Sequence, residues 1–110
     1  MTRIIILSLL TVFFISAIIP EQHKPVTKIV KMRGMRFDPS SIQVSIGDTV
    51  IWINESNGEH NVVANDGTFK STMLENGQLY ALVFEKKGVY KYYCQPHRIM
   101  GMKGVVEVKD

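Results

Sequence analysis

The sequence predicts an all-β fold, a two-sheet Greek-key sandwich of seven to eight short strands. After the first 25 residues, short runs rich in β-branched and aromatic residues alternate with turn signals at intervals typical of a sandwich. No helical periodicity persists beyond about one turn in this region. The chain of 110 residues has the length of one domain.

The first 20 residues differ in composition from the rest of the chain. Arg3 is followed by an apolar run that reaches Pro20 and has a small residue at Ala17. This pattern is typical of a secretory signal peptide. The alternative is an uncleaved membrane anchor, because the run is near the lower length limit for crossing a bilayer. We expect a periplasmic or otherwise exported protein, with 21–25 as a short tether and 26–110 as the domain.

The strands of the first half follow from alternation and turn residues. Residues 26–32 alternate loosely and suit an edge strand, and 42–46 alternate apolar and polar side chains. Residues 37–41 predict a turn, because proline fixes the backbone and Asp and Ser bond back to it. Gly47 begins a second turn, which leads into 49–54, a strand rich in β-branched residues.

The second half contains four further strand-like runs. Asn57 and Gly58 indicate a turn before a short strand that begins at His60. A connection then leads to three runs with aromatic and β-branched residues. The four predicted strands cover 60–64, 78–84, 88–94 and 105–108.

Charge and cysteine content exclude some classes of function. The formal net charge of +3 is too small to indicate nucleic-acid binding, although it favours an acidic partner surface. Cys94 is the only cysteine, so no internal disulfide forms. In an oxidising compartment a lone thiol is buried and inert, paired between chains, or held by a metal.

The loop after the penultimate predicted strand contains the candidate metal ligands. Thiol, imidazole and thioether side chains lie within nine residues, from Cys94 through His97 to Met102, and His60 opens an earlier strand. Soft sulfur ligands together with imidazole select copper. Two histidines, one cysteine and a weak axial methionine form the blue-copper arrangement. The sequence therefore predicts a site for one copper ion that cycles between Cu(II) and Cu(I).

These motifs resemble the plastocyanin, amicyanin and pseudoazurin group of cupredoxins, most closely pseudoazurin. The resemblance covers about 32–108 and implies copper at one end of the sandwich, bound by His60, Cys94, His97 and a methionine. It also implies a single-electron carrier rather than an enzyme. The motifs that carry it are Phe37-Asp38-Pro39, Gly47-Asp48-Thr49-Val50, His60-Asn61-Val62, Cys94-Gln95-Pro96-His97 and Met100-Gly101-Met102.

Two methionines compete for the axial position. Met100 follows His97 by three residues, which is the amicyanin-like spacing, and Met102 follows it by five, which is the plastocyanin-like spacing. In the group the axial methionine precedes one residue, a small residue and the final strand. Met102 fits this order, so we expect Met102 as the ligand and Met100 at the exposed rim.

The resemblance also implies residues around the ligands. The backbone N–H of Asn61 donates a hydrogen bond to the Cys94 sulfur, and its side chain ties the two ligand loops together. Pro96 lacks an N–H and cannot donate a second bond from its loop. Met35 is expected beside His97.

The same group suggests how partners dock. The edge of His97 is expected to reach the surface within an apolar patch, where Arg98 and Lys103 steer an acidic partner. Relatives exchange electrons with c-type cytochromes or copper nitrite reductases. We expect a monomer with redox protein partners, no nucleic-acid or small-molecule substrate, and membrane association only if the leader is retained.

Other functions remain open from the residues. A copper carrier or storage protein is favoured by the additional methionines Met32, Met35, Met73 and Met100. A copper enzyme requires further histidines for a second copper, and only His23 in the tether is spare. A metal-free interaction module predicts no effect of copper on stability.

Overall fold

The computed structural model describes residues 1–110 and contains eight strands. Residues 1–26 form no strand or helix, and no helix has the length and apolar character needed to cross a membrane. The strands are β1 (Thr27–Arg33), β2 (Arg36–Asp38), β3 (Ser41–Ser45), β4 (Thr49–Asn54), β5 (Val63–Ala64), β6 (Leu79–Val83), β7 (Gly88–Tyr93) and β8 (Lys103–Lys109).

The strands form two sheets of four, in the orders β2-β1-β4-β6 and β3-β8-β7-β5. Two pairs are parallel, β1 with β4 and β3 with β8, and the other pairs are antiparallel. The predicted two-sheet all-β sandwich is confirmed. The proposed limits of leader, tether and domain stay a prediction.

The core lies between the two sheets and is built by alternation along the strands. In β4 every second residue is buried, so that Val50, Trp52 and Asn54 face inward. The Trp52 ring meets Tyr92 of β7 edge-on, with centroids 5.3 Å apart. Burying side chains of this size stabilises the fold by about 1.5–3 kcal/mol each. Gly104 is required beside Tyr92, because a Cβ there would lie 2.4 Å from the phenol oxygen.

Three predictions about strands are corrected. β1 is not an edge strand, because it pairs with β2 on one side and β4 on the other. Part of the predicted turn at 37–41 belongs to β2, and the chain bends only at Pro39 and Ser40. The predicted strand 60–64 is reduced to β5, since His60 makes only an isolated pairing with Leu74.

At the end of the sandwich where β4 begins, a buried carboxylate organises the chain. Asp48 is 1% exposed and accepts hydrogen bonds from the backbone N–H groups of Val26 (2.9 Å) and Ser45 (2.7 Å). The Nε2 atom of His23 lies 2.7 Å from the same carboxylate. We call these residues the Asp48 cluster. It fixes the start of β1 against the turn before β4.

Candidate metal centre

The predicted ligands lie together at the opposite end of the sandwich, where β4 and β7 finish and β8 begins. His60 is held by backbone hydrogen bonds in both directions with Leu74, at 3.1 and 2.7 Å. Cys94 directly follows β7, and its N–H donates to the carbonyl of Met102 at 3.0 Å. We call the region formed by His60, Cys94, His97 and Met102 the ligand end.

Three donor atoms converge there. The Cys94 Sγ atom is 3.6 Å from Nδ1 of His60 and 3.5 Å from Nδ1 of His97. The two Nδ1 atoms are 3.1 Å apart. His60 and Cys94 are buried, whereas His97 is half-buried. Each histidine therefore presents the same ring nitrogen to the thiol.

The ligand loop is closed by a short 3₁₀ helix, Arg98–Met100. Gly101 follows with φ +81°, a left-handed conformation that glycine adopts without strain, and its N–H donates to the carbonyl of Arg98 at 3.0 Å. This turn reverses the chain after His97. It allows Met102 to point back into the protein.

The two candidate axial methionines have opposite environments. Met102 is 1% exposed, and its N–H donates to the carbonyl of His97 at 3.2 Å. Met100 lies in the 3₁₀ helix and is 62% exposed. Met102 is thus linked by backbone bonds to both Cys94 and His97, while Met100 lies on the outer surface of the loop.

Asn61 connects the two ligand-bearing segments. Its Oδ1 accepts the backbone N–H of Gln95 at 2.7 Å, and Asn61 is itself buried. Because Asn61 follows one ligand and Gln95 follows another, this bond fixes the distance between the segments of His60 and Cys94.

Burial and hydrogen bonding have opposite effects on the pKa of the Cys94 thiol. Burial raises the pKa of Cys94, whereas hydrogen bonds from the backbone N–H groups of Asn61 and His97 lower it. Pro96 contributes no N–H, and the N–H of His97 donates to the carbonyl oxygen of Cys94 at 3.2 Å. The expectation that the ligand loop provides no second donor to the sulfur stays a prediction.

His60 has a hydrogen-bonded outer edge that was not predicted. Its Nε2 atom is 2.8 Å from Oγ of Ser56, and Oγ is 2.7 Å from Oδ1 of Asn54. Burial lowers the pKa of His60, as does the neighbouring His97, while a hydrogen bond to the backbone of Gly34 raises it. The sequence signal was Asn54, an amide at an inward-facing position of a strand.

Three exposed apolar side chains lie near His97 in the chain or in its groove, and we call Met35, Ile99 and Met100 the apolar rim. Ile99 is 97% exposed and Met100 62%, and both follow His97 in the loop. Met35 is 48% exposed and lines the same small groove as His60 and His97. Met35 thus shares a groove with His97, and its expected position directly beside that histidine stays a prediction.

A second, larger groove of about 1030 Å³ runs beside the ligand loop. The guanidinium of Arg98 lies over the Tyr93 ring, 3.9 Å from its centroid. We call this the basic groove, because Asp38 is the one acidic residue among its lining residues while four are basic: Arg36, Lys91, Arg98 and Lys103.

The chemistry of the donor set fits copper. The two Nδ1 atoms and the sulfur lie within 3.1 to 3.6 Å of one another, close enough for one ion to be bound by all three. One thiolate, two imidazoles and a buried thioether match the preference of copper for soft sulfur and imidazole ligands. His60, Cys94, His97 and Met102 are positioned as a copper site.

Comparison with known proteins agrees with this chemistry. Residues 25–109 match the family of copper binding proteins described as the plastocyanin/azurin family. The chain belongs to this family. The predicted cupredoxin group is thereby confirmed, and the specific closeness to pseudoazurin stays a prediction.

Individual relatives lie in the same group. The chain is 37% identical to amicyanin from Paracoccus denitrificans over 84 residues, which covers 72% of this chain and 64% of that protein. It is 32% identical to plastocyanin from Scenedesmus fuscus, over 66% of this chain and 86% of the relative. A solved structure of an oxidized mutant of amicyanin superposes with a TM-score of 0.69 at 33% identity, covering 74% of this chain and 81% of that one. The chain thus spans slightly less than two thirds of the first of these relatives.

Proposed function

We propose that this protein is a single-electron carrier with one mononuclear blue-copper site, which exchanges electrons with redox protein partners. The observation that carries the proposal is the convergence of His60, Cys94 and His97 at 3.1 to 3.6 Å, with Met102 buried beside them. When bound, the copper supplies a Cu(II)/Cu(I) couple. The protein must meet the other requirements for electron transfer.

The first requirement is a site that changes little between oxidation states. Backbone bonds hold His60 to Leu74 and Cys94 to Met102, and the Asn61 side chain joins the two segments. The ligands are therefore positioned by the sheet framework before metal binds. A rigid donor set keeps the reorganisation energy small, which favours fast electron transfer.

The second requirement is a stabilised thiolate. Burial raises the pKa of Cys94, and the backbone of Asn61 and of His97 lowers it in part. Metal binding requires the deprotonated thiol and releases its proton. Hydrogen bonds to a ligating sulfur withdraw electron density from it and thus help to set the reduction potential, and we expect the N–H of Asn61 to act in this way.

The third requirement is a route for electrons to the surface. His97 is half-buried, and the exposed Ile99 and Met100 follow it in the same loop. An apolar rim of this kind supports brief docking without tight association. We infer that electrons enter and leave through His97.

The partner surface is inferred from charge. Arg98 and Lys103 lie in the basic groove next to this rim and favour a partner with an acidic face. A c-type cytochrome or a copper nitrite reductase is the partner class that we propose, by analogy with the group. We also propose that the protein is exported, since an apolar leader precedes the domain.

A visible absorption spectrum tests the function. The protein from Glu21 onward, loaded with Cu(II), is expected to show an intense charge-transfer band from thiolate to copper at about 600 nm. Reduction is expected to bleach the band and reoxidation to restore it. Cys94→Ser is expected to lack the band, while Met100→Leu, on the exposed surface of the same loop, keeps it unchanged. Met102→Leu is expected to shift the spectrum and the potential.

A copper carrier is the second candidate, because exposed thioethers adjoin the site. Met35 and Met100 are 48% and 62% exposed and offer soft ligands for transfer of Cu(I). A carrier is expected to give up copper readily to a competing chelator. A blue protein that retains copper through repeated redox cycles excludes this candidate, and a colourless protein that binds Cu(I) supports it. A protein that binds no copper contradicts both.

A further inference from the structure

The outer edge of the buried ligand His60 faces a chain of side chains. Nε2 of His60 lies 2.8 Å from Ser56 Oγ, and Ser56 Oγ lies 2.7 Å from Asn54 Oδ1. Asn54 is fully buried, and Ser56 is half-buried in the turn that follows β4. Neither residue belongs to the donor set at the metal centre.

The direction of each hydrogen bond follows from the partners of Asn54. Its Nδ2 atom is 2.8 Å from the carbonyl oxygens of Gly58 and of Leu74. Both are acceptors only, so the amide nitrogen faces them and the amide oxygen faces Ser56. Asn54 Oδ1 also accepts the backbone N–H of Ser56 at 2.9 Å, which agrees with this orientation.

The hydroxyl of Ser56 has a single proton to donate. Its short contact to Asn54 Oδ1, an acceptor, takes that proton, and the carbonyl of Gly58 at 3.3 Å is a longer alternative acceptor. The Ser56 oxygen therefore faces His60 with a lone pair. His60 must donate from Nε2, which leaves Nδ1 unprotonated and directed at the thiol of Cys94.

We propose that Asn54 and Ser56 are positioning residues that fix His60 as the Nε2–H tautomer and so present Nδ1 to copper. In this chain of hydrogen bonds, the His60 Nε2–H donates to Ser56 Oγ, and the Ser56 hydroxyl donates to Asn54 Oδ1. Outer partners of this kind orient a ligating histidine and hold its ring. The role of these residues toward copper rests on the proposed function, but the tautomer does not.

The expected effect of removing Ser56 Oγ is partial. Ser56→Ala removes the oxygen that lies 2.8 Å from Nε2 of His60 and leaves the other side chains of the site in place. Loss of an outer partner typically lowers metal affinity by about 10–100-fold. We expect Ser56→Ala to release copper about tenfold faster, at the lower end of that range, because the backbone bonds between His60 and Leu74 still hold the ligand. Ser56→Thr, which keeps the hydroxyl, is expected to restore the slow rate.

The test begins with the apoprotein. Nitrogen-15 NMR of the imidazoles at pH 8 is expected to show His60 in the wild type as the Nε2–H tautomer, and in Ser56→Ala as a mixture of tautomers. Ser71→Ala is the matched control, because Ser71 Oγ is also hydrogen-bonded and accepts the N–H of Val62 at 2.8 Å. This control is expected to lose stability without changing the His60 signal.

The outcomes separate the two proposals. A wild-type apoprotein with the proton on Nδ1 of His60, or a Ser56→Ala variant with an unchanged His60 signal and copper release rate, overturns the positioning role. A wild-type protein that never becomes blue contradicts the proposed function, while its NMR spectrum still decides the tautomer. A Ser56→Ala variant that is less stable but unchanged in both readouts assigns Ser56 a structural role only and also overturns the proposal.

Discussion

The two ends of the sandwich bury polar groups in opposite ways. In the Asp48 cluster one carboxylate accepts two backbone N–H bonds and a contact from His23, all between 2.7 and 2.9 Å. At the ligand end, three donor atoms face one another at 3.1 to 3.6 Å. The first group is complete within the protein. The second is arranged for a cation.

The difference shows how burial of polar atoms distinguishes structure from function. A buried group whose hydrogen bonds are all made contributes to stability and needs no ligand. Buried ligand atoms that converge on one point are suited to a metal ion, and at the ligand end the Asn61 side chain helps to hold them in place. Substitutions at the Asp48 cluster are therefore expected to change stability, and those at the ligand end to change chemistry.

The largest expected effect is the loss of stability in Asp48→Ala. The substitution leaves the N–H groups of Val26 and Ser45 without their acceptor, and each such loss costs about 1–3 kcal/mol. We expect the free energy of unfolding to fall by about 3 kcal/mol in denaturant titrations, with the copper spectrum unchanged. Asp66→Ala, in an exposed turn where Asp66 accepts bonds from Thr68, is the control and is expected to lose less. A changed spectrum in Asp48→Ala means that the two ends are coupled.

Copper is expected to stabilise the protein only through the ligand end. At a free copper concentration 100 times the Kd, binding to the folded state adds about 2.7 kcal/mol to the free energy of unfolding. Thermal melts with and without copper are expected to differ for the wild type and for Asp48→Ala alike. Cys94→Ser is expected to lose most of the copper-dependent shift. Equal shifts in Cys94→Ser and the wild type contradict the assigned ligands.

The third prediction concerns acid. Burial raises the pKa of Asp48, but hydrogen bonds from His23, Ser45 and Val26 outweigh it and lower the pKa from 3.8 to about 2. The folded carboxylate is thus harder to protonate than the unfolded one. Its stabilising contribution is complete above pH 4 and is lost as the pH falls from about 4 to 2, by at most about 2 kcal/mol. Unfolding of the apoprotein across this range is expected to be less pH-dependent in Asp48→Asn. An identical pH profile in both proteins contradicts the low pKa.

Much of the ligand end could be predicted because its information is local. Cys94, His97 and Met102 lie within one loop, and alternation along β4 identified the strand that precedes His60. The two-sheet class followed from the same alternation. These signals depend on neighbours in sequence, which a single chain displays directly.

The Asp48 cluster and the Asn54–Ser56 chain depend on tertiary contacts instead. His23 and Asp48 are 25 residues apart, and nothing in the tether indicates a partner. β1 was placed at an edge because its weak alternation does not reveal parallel pairing with β4. β5 is short because the backbone around His60 pairs with Leu74 rather than with a neighbouring strand.

The smallest expected effect is on the rate of association with a partner, and it compares a surface charge at the ligand end with one at the opposite end. Arg98→Glu reverses a charge in the basic groove, and Lys86→Glu makes the same change in the loop before β7, two residues after Phe84, whose N–H donates to the carbonyl of Asp48 at 3.0 Å. Reversing an exposed charge at the edge of an interface changes the association rate more than the dissociation rate. With an acidic redox partner at low salt, we expect Arg98→Glu to slow bimolecular electron transfer about three- to tenfold in stopped-flow measurements.

The control and the salt dependence decide what such a result means. Lys86→Glu carries the same net charge as Arg98→Glu, so an equal loss in both variants shows that total charge, not the basic groove, governs association. A larger loss in Arg98→Glu that disappears at high salt supports docking beside His97, because salt screens charges that remain exposed to solvent. A loss that persists at high salt points instead to the contact between Arg98 and Tyr93, which holds the ligand loop without any partner. Tyr93→Leu then separates the two roles, since it removes the stacked ring while leaving every charge of the groove in place.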